Sequence, residues 1–207
     1  MIDETLEVQG YLRGEHLNPQ NLYRICQLLC RWFCQLGYSR LEIREKVFDW
    51  AARNGIHIPY NLNLIIYHAE ENPKPLTMNP CVRVSRKEAA EIARRFDRKN
   101  TRLTALAMLC YAKTFADLNG EFSISSVSLG CWLGIADSNL RGIYIKELAD
   151  FGYLSKTASN RSRFAWEKKA KSKCCRYRIH TPLTNTGEYL LEGNDIHGLY
   201  ETVFRKG

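Results

Sequence analysis

Eight cysteines and five histidines are the side chains with the most obvious capacity for chemistry in this 207-residue chain. Cys26, Cys30 and Cys34 recur every four residues inside an apolar run, which puts them on one helix face. Thiols in such steps diverge from the tetrahedral closure that zinc demands, and no Cys-x-x-Cys pair accompanies them. They are therefore expected to be reduced core residues. Cys81, Cys110 and Cys131 stand alone, while Cys174 and Cys175 are adjacent on a predicted strand and so point to opposite faces. His16, His57, His68, His180 and His197 are scattered, and Asp49, Glu70, Glu71 and Asp97 lack paired spacing. The glycines stand singly at turns rather than in a phosphate-cradling loop. No metal centre, cofactor or catalytic residue is assigned, and the chain is not read as an enzyme.

The stronger chemical signal is charge. The formal net charge is +8, but residues 1–78 hold eight basic against nine acidic side chains. Between Phe151 and His180 lie Lys156, Arg161, Arg163, Lys168, Lys169, Lys171, Lys173, Arg176 and Arg178, opposed only by Glu167. That segment equals the whole excess. Arg161, Arg163, Lys168, Lys169, Lys171 and Lys173 are expected to track a phosphate backbone, giving affinity that falls steeply with salt. Phe164 and Trp166 interrupt the basic run. Two roles stay open for them: wedging or stacking against bases, or anchoring the loop on its own domain.

A second set of candidates precedes this segment. Ser138, Asn139, Arg141, Tyr144 and Lys146 are expected on the outer face of a helix whose Leu140, Ile143, Ile145 and Leu148 point inward. Asn can read adenine and Arg guanine through paired hydrogen bonds, whereas Ser and Lys more often hold phosphate. The competing reading is an ordinary solvated helix face.

The elements that must position these residues follow from caps and periodicity. Asn18-Pro19 predicts a helix start, with Leu22, Ile25, Cys26, Leu29, Phe33 and Leu36 forming its stripe until Gly37. Ser39 and Glu42 predict a capping box ahead of Leu41, Ile43, Val47, Trp50 and Ala51, with a stop at Asn54-Gly55. A shorter helix is expected from Asn61 through His68, broken by Asn72-Pro73-Lys74-Pro75. Cys81 to Val84 reads as a strand, Ser85 with Glu88 as a second capping box, and Arg102 to Asp117 as a long apolar helix. Phe122 to Ser125 alternates as a strand, Ser126 to Leu133 is a helix, and Gly134 to Asp137 is a tight turn into a helix from Ser138 to Asp150. Phe151 to Leu154 would then turn the chain into a strand, with Arg176 to His180 as the returning strand and the basic segment between them, and a short helix is expected around Ile196 to Phe204. The expected fold class is mainly α with small β: a helical domain over residues 1–78, a helix-turn-helix domain over 79–180 and a C-terminal segment over 181–207.

Phe122 to Leu154, with Leu133-Gly134-Ile135 before the turn and Glu147-Leu148-Ala149-Asp150-Phe151-Gly152-Tyr153-Leu154 at its exit, resembles the winged helix-turn-helix DNA-binding domains of prokaryotic regulators and replication proteins. The loop from about Lys156 to Cys174 is longer and more basic than their usual wing. Leu22 to Gly37, Tyr38-Ser39, Glu42-Ile43, Trp50 and Asn54 resemble the small helical domain of primase-like replication proteins of plasmids and phages. Together these resemblances imply a nucleic-acid-binding protein of a mobile element that contacts double-stranded DNA in replication initiation or transcriptional control. The alternative is a winged-helix interaction module that binds or inhibits a protein or ribonucleoprotein machine. Pairing into a homodimer stays open, because no heptad seam marks an interface. Apolar runs fall short of the roughly 18–20 residues that a membrane span needs, and the acidic start lacks the pattern of a secretory signal. A cytoplasmic protein without a membrane partner is expected.

Overall fold

The computed structural model describes residues 2–78, 80–159 and 175–204. The architecture is mainly helical with small antiparallel sheets. It divides into two compact units, one over residues 3–79 and the other over 80–207 with residues 1 and 2.

The first unit holds α1 (Glu4–Leu12), α2 (Leu22–Gln35), α3 (Arg40–Arg53) and α4 (Leu62–Glu71). Asn18 caps the short 3-10 turn that leads into α2, the Ser39–Glu42 capping box starts α3, and Asn61 caps α4. Ile25, Cys26, Leu29, Ile43, Val47, Trp50, Ile65 and Ile66 form the core. Leu36 and Leu41, expected on the buried stripes, are instead 54% and 63% exposed. Leu36 is the C-terminal cap residue of α2, and Leu41 lies in the first turn of α3.

Helix α1 was not foreseen, and its composition explains why. Its buried positions Glu4, Glu7, Val8 and Tyr11 carry the spacing of one helix face, but carboxylates occupy half of that stripe. Arg31 pairs with Glu4 at 3.0 Å and Arg24 with Glu7 at 3.1 Å. The Trp50 indole donates to the Tyr11 carbonyl at 2.7 Å, joining α3 to the end of α1.

The second unit runs β1 (Val82–Val84), α5 (Arg86–Arg95), α6 (Lys99–Phe115), β2 (Glu121–Ile124), α7 (Ser126–Leu133), α8 (Asp137–Asn139), a π-helical segment (Leu140–Tyr144), α9 (Ile145–Asp150), β3 (Leu154–Ser159), β4 (Cys175–Ile179), β5 (Tyr189–Leu191) and α10 (Ile196–Phe204). Helix α6 lies at the centre, with Ala105 through Cys110 fully buried. Around it, β2, β4 and β3 form one sheet in the spatial order β2-β4-β3, and β1 pairs with β5 in another. The C-terminal segment closes this core. Leu191, Ile196, Leu199 and Tyr200 are buried in it, and Trp132 of α7 donates to the Asn194 carbonyl at 2.8 Å. Among the described residues no helix is long and apolar enough to cross a membrane.

Candidate nucleic-acid interface

A tight corner sets the candidate helix. Ser125 caps α7 by accepting the Ser128 amide at 3.0 Å, and α7 ends at Gly134, whose φ of 64° is the left-handed conformation that glycine adopts without penalty. The Ile135 amide then donates back to the Gly130 carbonyl at 3.0 Å. A side chain at Gly130 would put its Cβ 2.6 Å from the Ile135 carbonyl oxygen, so only glycine lets the corner close.

Beyond the corner, the chain stays helical from Asp137 to Asp150, with a wider π turn in the middle. A π turn inserts one extra residue and shifts the inward stripe by one position. Leu140 and Leu148 are fully buried as expected, but between them Tyr144 and Ile145 pack against the core while Ile143 is 40% exposed. Ile143 and Tyr144 thus exchange the places the 3.6-residue period assigns them. The Tyr144 hydroxyl accepts from the Asn100 amide at 3.1 Å, which ties it to α6. Glu147 is tied there too, accepting from the Thr101 hydroxyl at 2.8 Å.

The outer face carries Ser138, Asn139, Arg141, Gly142, Ile143 and Lys146, all exposed. Arg141 pairs with Asp137 at 2.6 Å, one turn back on the same helix. Among the described residues, the side chains of Ser138, Asn139 and Lys146 make no hydrogen bond or ion pair, so their polar groups are open to an outside partner.

The strands β3 and β4 form a hairpin beside this helix. Leu154 pairs with Ile179 and Ser155 with Arg178, and a bulge between Lys156 and Ala158 adds local twist. Lys156 is exposed. Arg176 and Arg178 belong to the basic segment in sequence, yet they are engaged within the sheet. Arg178 lies 3.1 Å and Arg176 3.3 Å from Glu121, their neighbour on β2, and Arg176 is also 3.6 Å from Asp117. Burial by the alternating residues Tyr177 and Ile179 on the other strand face explains this placement. Two of the nine basic residues are therefore answered inside the fold. Arg161, Arg163, Phe164, Trp166, Lys168, Lys169, Lys171 and Lys173 lie outside the described residues.

Elsewhere the thiols follow their burial. Cys26 and Cys30 are buried and Cys34 half-buried. Burial pushes the Cys26 thiol up to about 11 and raises those of Cys30 and Cys34, opposite to the lowering that activates a nucleophilic cysteine. Among the described residues there is no group of three or more His, Cys, Asp or Glu side chains placed to hold a metal ion. Sequence reasoning did not locate the exposed aromatics of the first unit. Tyr23 meets Tyr60 edge to face at 5.2 Å, Arg40 lies over Tyr67 and Arg44 over Phe48.

Compared with known proteins, the chain matches no family model, no curated protein and no solved structure.

Proposed function

We propose that residues 80–204 form a winged helix-turn-helix domain that binds double-stranded DNA, with the helix Asp137–Asp150 in the major groove and the β3–β4 hairpin as its wing. The observation that carries this reading is the polar helix face left uncommitted by the fold, at the last helix of a helix–strand–helix–turn–helix–hairpin succession. That succession, with its sheet order β2-β4-β3, supports the winged-helix assignment. The residues joining β3 to β4 supply six lysines and arginines to neutralise phosphates, namely Arg161, Arg163, Lys168, Lys169, Lys171 and Lys173. In this reading Ser138 and Lys146 hold phosphate, and Asn139 and Arg141 address bases. Tyr144 supports the helix from inside and does not touch DNA. The resemblances noted in the sequence favour a role in replication initiation or transcriptional control within a mobile element.

The test is a fluorescence-anisotropy titration of labelled duplex DNA, single-stranded DNA and structured RNA at two salt concentrations. It compares the wild type with a variant in which Lys168, Lys169, Lys171 and Lys173 are alanine. Duplex binding that weakens with salt and is lost in the variant is the expected result. Equal, weak binding by both proteins would overturn it in favour of a module that docks on a protein or ribonucleoprotein.

A further inference from the structure

Glycine inside a helix is costlier than alanine, because it surrenders more backbone freedom on folding and shields less of the backbone from water. A helical glycine therefore calls for a reason. At Gly130 the reason is the Ile135 carbonyl, and at Gly198 a side chain would collide with the Asp195 carboxylate. At Gly10, a buried position, a Cβ would make only ordinary van der Waals contact with the Glu15 and His16 side chains, at 3.5 and 3.7 Å. Gly142 has no such neighbour. A Cβ built on it meets nothing within 4 Å, its φ is not among the positive values, and the residue is exposed in the middle of the candidate reading helix. No neighbouring group of the fold crowds that position, and the missing side chain leaves the helix backbone bare toward whatever approaches that face.

The next residue points the same way. The π turn brings Tyr144 and Ile145 onto the core and leaves Ile143 outside, a branched apolar side chain 40% exposed among polar neighbours. Asn139, Gly142, Ile143 and Lys146 are all exposed along the outer side of this helix. Their order along it is an amide, a bare backbone, an apolar tip and a cation.

We infer that Gly142 and Ile143 are the point of closest approach to the major groove, Gly142 admitting the helix backbone to the base edges and Ile143 packing on thymine 5-methyl groups. Asn139, one turn earlier, reads an adjacent adenine by its paired donor and acceptor, so the sequence addressed by this helix is centred on A·T pairs. The inference rests on the duplex-binding reading and adds to it the residues that select the site.

The experiment begins with selection of duplexes from a random pool by the full-length protein. Binding is then measured on a selected duplex and on versions in which each thymine in turn is replaced by deoxyuridine, which lacks only the 5-methyl group. The wild type is expected to lose about three- to five-fold at one or two positions, the worth of one buried methyl group. Ile143→Ala is expected to bind more weakly and to be indifferent to the same replacement. Gly142→Ala is expected to melt no lower than the wild type, yet to bind the selected duplex at least ten-fold more weakly. Indifference of the wild type to deoxyuridine at every position, or undiminished binding by Gly142→Ala, overturns the inference while leaving duplex binding intact. Failure to retain any duplex from the pool overturns the duplex-binding reading itself, and this inference with it.

Discussion

Arg141 shows how a side chain can be both held and available. Its guanidinium is 2.6 Å from the half-buried Asp137, but the arginine itself is exposed and the two are one turn apart on a helix, an arrangement worth about 0.3–0.5 kcal/mol. A paired contact with guanine discriminates by about 1–3 kcal/mol, so under the proposed duplex-binding reading Asp137 would not compete seriously with a base. Arg141→Ala is accordingly expected to lower the preference for a selected duplex over random DNA by about ten- to a hundred-fold, while stability changes by less than about 0.5 kcal/mol. Competition binding against random duplex, with urea denaturation alongside, measures both; unchanged preference would remove Arg141 from the base-reading set. The outward placement of Ser138, Asn139, Arg141 and Lys146 was legible because residue type and 3.6-residue spacing agreed. Tyr144 was misplaced because a one-residue π insertion leaves no mark in the pattern of apolar residues. Its nearest signal was Gly142 inside the helix, which weakens the regular turn.

At the scale of elements, caps were the most legible feature. Ser39 with Glu42, Ser85 with Glu88, Asn18 and Asn61 each start a helix where a side chain satisfies amides that the helix itself cannot. Helix α1 escaped because polar residues fill half its buried stripe, and only the arginines at positions 24 and 31, two turns apart on α2, hinted at partners for them. The same substitution of charge for apolar surface makes α1 sensitive to acid. Burial alone would raise the Glu7 carboxyl, but the charge of Arg24 and hydrogen bonds from Arg24 and Tyr11 prevail, and it lies below the ordinary carboxylate value of 4.5. Glu4 is lowered in the same way against its own burial, by Arg31 and the Thr77 amide. A carboxylate whose folded value is depressed contributes stability that is fully present above its unfolded value and is lost as the pH falls through the folded one. The first unit should therefore weaken below about pH 4.5, the ordinary value for these groups. Glu7→Gln leaves Arg24 without its closest carboxylate and is expected to cost about 3 kcal/mol at pH 7, a gap that narrows on acidification. Urea denaturation of both proteins at pH 7 and pH 4 reads the difference, and equal stability at pH 7 would show that the pair does not hold α1.

For the whole molecule, the distribution of charge decides more than its sum. The excess of +8 coincides with residues 151–180, yet Arg176 and Arg178 are drawn into the β2–β4 pairing by Glu121, and Glu167 offsets another. Composition showed where the charge was concentrated. It did not show which charges the sheet consumes, because cross-strand pairing depends on a register between residues more than fifty positions apart. The arginines within the sheet and the lysines between the strands should therefore behave differently. Each phosphate neutralised releases counterions and adds about 0.9 to the steepness with which log affinity falls against log salt. Replacing Lys168, Lys169, Lys171 and Lys173 by alanine is expected to flatten that slope by about 3–4 if each meets a phosphate. Arg176→Ala is expected to flatten it by much less than one, and to appear instead as a modest loss of stability because Glu121 and Asp117 lose a partner. Titrations across a range of salt concentrations, carried out on both variants, separate the two groups. Equal slope changes per residue would mean that the sheet's ion pairs open on binding, and that the arginines of β4 belong to the DNA surface after all.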